Sequence, residues 1–455
     1  MTMPHPHPDS GTTRRRFVGS AATAAAAFMI LPRRVLGGNG TPGANDRLNI
    51  AAVGLGGQGN ADLRPHVNDN IVALCDVDDA NAAATFAEYP QAKRYQDFRV
   101  MFDREKNIDA VIVATPDHLH AVVTMTALKL GKHVYCEKPL TRTVFEARTI
   151  ANAAREAKVA TQMGNQGMTF AGNRQLDQWI RDGAIGPVRE VHVWSDRPTQ
   201  RGKVPLWWPQ GVERPTETPP VPPTLNWDLW LGPAPFRPYH PDYVPFRWRG
   251  WWDFGSGGLG DMGIHNLAPV FSCLQLDAPE SVSASSTPQV GDSVPLASVV
   301  HYRFPARHGR PPIALHWYDG GLLPERPAEL ETGSDLDPED GILLVGDNGK
   351  ILVEGWGGEH PRILTGGKEK YRRPPSDQTA LERHHAEWVA ACKTGSPTRS
   401  NFGFAGPLTE TVLLGAACVR HGGRPLRWDR DRFAFTNDER ANQLLHYSYR
   451  SGWAL

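Results

Sequence analysis

The 455-residue chain is short of cysteine, has no formal net charge and, past its first residues, has no evident apolar run as long as a membrane span. Each shortage excludes something. The five cysteines, Cys75, Cys136, Cys273, Cys392 and Cys418, form no CxxC pair, so neither a zinc site nor a dithiol redox site is expected. Cys75 and Cys136 sit in apolar, strand-like runs, where cysteine serves as a small buried hydrophobe. With 49 basic residues against 49 acidic ones, nothing marks the chain for nucleic acid or for an anionic membrane surface. Its length predicts two domains with ample core.

What is present begins at Thr13-Arg14-Arg15-Arg16-Phe17-Val18, which fits the twin-arginine export pattern. Behind it, Ser20 to Leu31 is weakly apolar and too short to cross a bilayer. That route carries folded proteins, often around a cofactor, so a periplasmic or otherwise exported protein is expected, with the twin-arginine machinery as a partner. No clear Ala-x-Ala site follows the apolar run, and an uncleaved leader would tether the protein to the membrane. Residues 1–37 read as the signal, and 38–47, with Gly38, Gly40, Pro42 and Gly43, as a flexible linker.

From Leu48 short apolar strands alternate with helices. Strands are expected at Leu48–Val53, Ile71–Cys75, Asp109–Ala114, His133–Cys136 and Val159–Met163. Helices are expected at Ala121–Leu130 and Thr143–Lys158, the latter opening on a capping-box spacing, Thr143 to Glu146. This predicts an N-terminal α/β Rossmann domain, a doubly wound parallel sheet, over 48–165. Beyond it, a helix over Thr169–Arg181 leads to strands at Val188–Trp194, Ala297–Phe304 and Ile313–Tyr318, and to a hairpin in Gly341–Glu354 about Asn348-Gly349. These predict an α+β domain with a largely antiparallel sheet over 166–455. A late helix, Thr379–Ala391, is expected to present Arg383, His384 and His385 on its polar face.

The first strand runs into Gly54-Leu55-Gly56-Gly57-Gln58-Gly59, a GxGxxG match whose glycines permit a tight turn, close approach to a pyrophosphate and packing of helix on strand. Asp76 ends the second strand, 22 residues after Gly54. A carboxylate there accepts hydrogen bonds from ribose hydroxyls and repels a 2′-phosphate, which favours NAD over NADP. Strand C-termini form the ligand crevice of such sheets, so Thr115, Pro116, His118 and His120 in Thr115-Pro-Asp-His-Leu-His120 are expected against the cofactor. The alternation of His118 and His120 is that of metal ligands, but no metal is expected.

The next strand ends in Cys136-Glu137-Lys138-Pro139. GLGGQG, TPDHLH and CEKPL, with Gly257-Gly-Leu-Gly-Asp261-Met-Gly-Ile-His265 further on, resemble the Gfo/Idh/MocA family of sugar and cyclitol oxidoreductases. Met163-Gly-Asn165-Gln-Gly and the Pro- and Trp-rich stretch after it look like the secreted, glucose–fructose oxidoreductase-like subset. The resemblance implies a tightly bound nicotinamide cofactor, also touched by Glu137, Lys138 and Asn165, a carbohydrate substrate and a homo-oligomer formed through the second domain. It implies that Lys138 contacts the reacting hydroxyl and that His265 takes its proton as hydride leaves the same carbon. Asp261 would orient substrate or imidazole. The chemistry agrees, because a desolvated lysine stabilises an alkoxide, and residues four apart share one face of a helical turn.

More than half of the 14 tryptophans fall between Trp194 and Trp252. Most are expected to anchor irregular loops, whereas Trp251 and Trp252, just before the glycine-rich turn, are expected as substrate-pocket residues. Lys138, Asp261 and His265 do not separate net oxidation from the family's NAD-dependent glycoside hydrolysis, in which the sugar is oxidised, cleaved by elimination and re-reduced. Neither the sugar nor its reacting carbon is legible.

Overall fold

The computed structural model describes Met1, residues 47–365 and residues 372–455. The signal and the linker expected from the sequence therefore lie, apart from Met1 and Arg47, outside the described residues.

The first half alternates β1 (Asn49–Val53), α1 (Gln58–Leu63), β2 (Asn70–Cys75), α2 (Asp79–Glu88), β3 (Lys93–Tyr95), α3 (Phe98–Arg104), β4 (Ala110–Val113), α4 (Asp117–Lys129), β5 (His133–Glu137), α5 (Val144–Ala157) and β6 (Thr161–Gly164). The six strands are parallel, in the order β3-β2-β1-β4-β5-β6. Helices on both faces bury Ile50 to Val53 and Ala110 to Val113 entirely, which is why these strands read as unbroken apolar runs. The order reverses beside β1, so the loops after β1 and β4 flank a crevice. α5 opens on the expected capping box, with Thr143 Oγ1 accepting the Glu146 N–H (3.2 Å) and the Glu146 carboxylate accepting the Thr143 N–H (2.9 Å). β3, an edge strand with two exposed charged residues, was not expected.

The second half adds α6 (Ala171–Arg181), β7 (Val188–Ser195), α7 (Trp227–Leu231), α8 (Ile264–Leu274), β8 (Ser281–Ser286), β9 (Ser298–Phe304), β10 (Ile313–Tyr318), β11 (Asp340–Gly346), β12 (Gly349–Glu354), β13 (His360–Leu364), α9 (Ala380–Thr394), α10 (Phe402–Arg420), β14 (Leu426–Asp429) and β15 (Ala434–Phe435). Nine strands form one sheet, β13-β12-β11-β7-β10-β9-β8-β14-β15, antiparallel except for the parallel pair β7 and β10. The β11–β12 hairpin turns at Asp347-Asn348, one residue before the expected position, with Gly346 and Gly349 as its closing pair.

α9 and α10 return to the first sheet. The Met163 N–H donates to Ser400 O (2.9 Å) and Thr398 Oγ1 to Thr161 O (2.8 Å), so residues 398–400 cover the outer edge of β6. The Arg148 guanidinium forks onto Glu410 at 2.6 and 2.8 Å, joining α5 to α10. Contrary to the sequence reading, α10 has the length and hydropathy of a membrane span, but most of it is buried in the protein. His384 and His385 likewise are not on a polar face. Both are buried because α9 lies on β5 and β6, where His384 Nε2 meets Met163 O (2.8 Å) and His385 stacks on Tyr135.

Candidate active site

A cleft of about 760 Å³ starts at the glycine loop after β1 and ends among side chains of the second domain. Gly54, Gly56, Gly57 and Gln58 form its floor, and Gly59 packs beneath. At three of the loop's glycines, Gly54, Gly56 and Gly59, there is no room for a Cβ. At Gly54, where φ is +86°, a Cβ would sit 2.5 Å from Ala114 O, and at Gly59 one would sit 2.0 Å from Gly54 O.

Asp76 lines the cleft at the end of β2 and also braces the loop, its carboxylate accepting the N–H groups of Leu55 (2.7 Å) and Asp78 (2.9 Å). Burial pushes its pKa up to about 6, against the pull of those donors. Thr115 and Pro116 line the opposite wall, and Thr115 Oγ1 is buried without a protein partner. Bare glycine backbone, a carboxylate at the second strand end and an orphaned hydroxyl on the facing wall fit a dinucleotide.

His118, His120 and Asn165 depart from the expected cofactor contacts, because none of them lines the cleft. The two histidines are spent on holding loops together. His118 Nε2 meets Trp230 O (2.8 Å), and the His120 ring bridges Pro139 O (2.7 Å) and Thr115 O (2.8 Å). Burial lowers their pKa values to about 3 and about 4, so both favour the neutral ring, and neutral His120 donates to only one of its two carbonyls. Asn165 is buried behind the wall, its amide without a protein partner.

Glu137 and Lys138 end β5 on the cleft. Across from them Asp261 lies in a π-helical turn, Leu259–Gly263, that runs into α8, where His265 follows in the first turn. The turn is fixed from behind by Asn266, which donates to Asp340 (2.8 Å) and Trp194 O (3.1 Å) and accepts the Gly357 N–H (2.9 Å). Lys138 Nζ donates to Asp261 Oδ1 at 2.6 Å, and Arg249 Nε donates to the same oxygen at 3.1 Å. These cations hold the Asp261 carboxyl below the usual carboxylate range despite burial. Asp261 thus orients Lys138, and no bond joins it to the imidazole. Burial, with the Lys138 charge, lowers the His265 pKa to about 3, so its ring is neutral at physiological pH. Its Nδ1 is buried without a partner, and Nε2 is the nitrogen with access to the cleft.

Trp251 and Trp252 do not reach the cleft. Both are buried, Trp251 among Tyr243, Trp248 and Phe254 with its Nε1 donating to Asp242 O (2.9 Å), and Trp252 in the main core, because large aromatic side chains anchor this irregular stretch. The aromatic walls are instead Trp230, Phe246, Trp248, Trp356 and Trp453, with Trp356 edge-on to His265 at 5.1 Å. Sequence reasoning also missed Arg249 and Asp117. Asp117 is the first residue of α4, lines the cleft, and is pushed up to about 8 by burial against the charges of Arg249 and Lys138. Its signal in the sequence is its place in the Thr115–His120 motif, the first acid after a strand end and the first residue of the helix that follows.

A Rossmann crevice with Lys138, Asp261 and His265 gathered at its far end defines a dinucleotide-binding fold with a charged polar site beside it. Two family profiles match the chain, "Oxidoreductase family, NAD-binding Rossmann fold" over residues 48–165 and "Oxidoreductase family, C-terminal alpha/beta domain" over residues 203–307. The chain belongs to the Gfo/Idh/MocA family of oxidoreductases. Inositol 2-dehydrogenase of Salmonella paratyphi B is 32% identical over 151 residues, 32% of this chain and 45% of that protein. D-glucoside 3-dehydrogenase of Escherichia coli is 28% identical over 221 residues, 49% of this chain and 51% of that protein. The chain thus spans about half the length of these curated relatives. The WlbA dehydrogenase of Bordetella pertussis, in complex with NADH and UDP-GlcNAcA, superposes on 84% of this chain and 99% of its own at a TM-score of 0.57 and 16% identity, a likeness of fold.

Proposed function

We propose that the protein is an exported, NAD-dependent dehydrogenase of a secondary alcohol on a sugar or polyol ring. The observation that carries this reading is the single cleft that joins the glycine loop to Lys138, Asp261 and His265. When bound, the nicotinamide supplies a hydride acceptor. Lys138, held by Asp261, donates to the substrate oxygen and stabilises its developing negative charge, while neutral His265 takes the hydroxyl proton on Nε2. Arg249 shares the Asp261 charge and keeps that carboxylate ionised. Asp76 favours NAD over NADP by facing the adenosine ribose. The polyol and glycoside substrates named for the relatives support a ring-hydroxyl substrate.

The test is NADH formation by the purified protein with myo-inositol, levoglucosan and methyl and aryl glucosides. One of them is expected to give a ketone with stoichiometric NADH. Release of the aryl alcohol without net NADH would instead mean glycoside hydrolysis, which no feature of the site favours.

The Thr13–Leu31 stretch supports export in the folded state, with NAD tightly held and carried along and copies pairing through the second sheet. Changing Arg14, Arg15 and Arg16 together to Lys is expected to leave folded, cofactor-binding protein in the cytoplasm. An unchanged exported yield would overturn the twin-arginine reading.

A further inference from the structure

Behind the cleft wall runs a file of buried ionisable side chains that the chemistry above does not use. Glu137 lines the cleft next to Lys138, and its carboxyl interacts with that of Asp62 in α1. Asp62 Oδ1 lies 3.3 Å from His385 Nε2, His385 Nδ1 lies 3.0 Å from His66 Nε2, and His66 Nδ1 lies 3.3 Å from Asp69 Oδ2. The other oxygen of Asp69 is 4.0 Å from the ammonium of Lys393, whose side chain is 36% exposed. The file therefore leads from the cleft to the opposite surface through Asp62, His66 and His385, each at most 2% exposed.

Two carboxyls in contact in a dry interior do not both ionise. A proton on Glu137 gives Asp62 Oδ2 its partner, since that atom is buried and no protein N–H or hydroxyl reaches it, and leaves Asp62 its own proton on Oδ1. Burial pushes Asp62 up to about 7 and Glu137 well above the carboxylate range, while it holds His385 well below the usual imidazole value. With protonated Asp62, one assignment satisfies every bond using neutral rings. Asp62 donates to His385 Nε2, His385 Nδ1–H to His66 Nε2, and His66 Nδ1–H to Asp69. Every donor then points away from the cleft, and a proton entering at Glu137 displaces one at each link.

The remaining groups facing the file hold it in place. Gln58 Nε2 donates to Asp62 Oδ1 (2.8 Å) and Gln166 Nε2 to Glu137 Oε1 (2.8 Å). Tyr135 stacks on His385 at 4.3 Å, and Lys138 and Cys392 sit within electrostatic reach of the inner and outer ends.

We propose that Glu137, Asp62, His385, His66 and Asp69 form a proton path that carries the proton of alcohol oxidation from the cleft to the surface. The purpose assigned to the path rests on the dehydrogenase reading. Oxidation sends the C–H hydrogen with two electrons to NAD⁺ and leaves the O–H proton over, so one ketone, one NADH and one proton result. His265 and Glu137 both line the cleft, and the proton taken by the base passes to the inner end of the path across it.

The test needs no sugar. Full-length protein is mixed rapidly with saturating NAD⁺ in weakly buffered solution containing a pH indicator. The positive charge of the oxidised nicotinamide is expected to expel the proton held by Glu137 and Asp62, and NADH is expected to expel none. In His385→Phe and His66→Ala, release is expected to slow by about tenfold or more with its final amount and the NAD⁺ affinity unchanged. Added imidazole is expected to restore the rate in His66→Ala, which a loss of packing would not allow. If either variant folds poorly, His385→Asn and His66→Asn replace them. Wild-type release rates in the variants, or no release from wild type with bound NAD⁺, would overturn the path. Failure of the dehydrogenase reading appears elsewhere, as absent NADH formation with every polyol while NAD⁺-triggered release persists.

Discussion

Replacing Lys138 or His265 by alanine is expected to leave a folded protein that still binds NAD but turns over roughly 10²–10⁴-fold more slowly. Both side chains reach the same end of the cleft, one from the end of β5 and the other from the first turn of α8. They act on one hydroxyl group, so the double variant is expected to lose far less than the product of the single losses. The acid limb of kcat/KM provides a second readout. The pKa of His265 is about 3, lowered first by burial and then by the Lys138 charge. As pH falls, the base is lost only near that value, and removing Lys138 should move the limb to higher pH. Substrate deuterated at the reacting carbon should show a primary isotope effect where chemistry limits the rate. Near-normal turnover in either single variant, with cofactor bound, would place the chemistry elsewhere.

Asp76→Ser is expected to weaken NAD by about 1.5–3 kcal/mol, the range for hydrogen bonds to a charged acceptor, and to weaken NADP less. The structure adds a reason beyond the ribose, since the same carboxylate accepts the Leu55 N–H at 2.7 Å and so shapes the loop beneath the pyrophosphate. Asp76→Asn separates the two effects, because its amide oxygen retains one acceptor while the charge is gone. If calorimetry gives equal losses for both dinucleotides in Asp76→Ser, the carboxylate serves the loop alone and the assigned NAD preference fails.

The parts of the fold that the sequence made legible are those where local chemistry dictates position. β1 and β4 are unbroken apolar runs because both their faces are covered, and the glycine loop is constrained by the backbone of Ala114. Thr143 and Glu146 cap α5 by contacts three residues apart. Lys138 and Asp261 stand 123 residues apart, yet each carried its own local motif, and the fold brings them to 2.6 Å. What stayed hidden depends on partners that residue type does not name. His384 and His385 look like surface residues until Met163 O, His66 and Asp62 supply their hydrogen bonds. Trp251 and Trp252 have the faces of sugar-stacking residues, but their direction is set by the packing of an irregular loop. The parallel pairing of β7 and β10 links strands far apart in the chain, which hairpin spacing does not reveal.

The cover that residues 398–400 give to β6 has a consequence for the order of events on the ribosome. At about 5–20 residues per second, tens of seconds separate synthesis of the dinucleotide-binding half from that of α10. During that interval β6 has no partner on its outer side and α5 lacks the Glu410 carboxylate that neutralises Arg148. The nascent first half is therefore a sheet with one open edge, the kind of surface that recruits holding chaperones or pairs with a neighbouring nascent chain. Closure of that edge is then a late event that waits for the last 58 residues of the polypeptide, and shortening the chain ahead of Thr398 would leave it open.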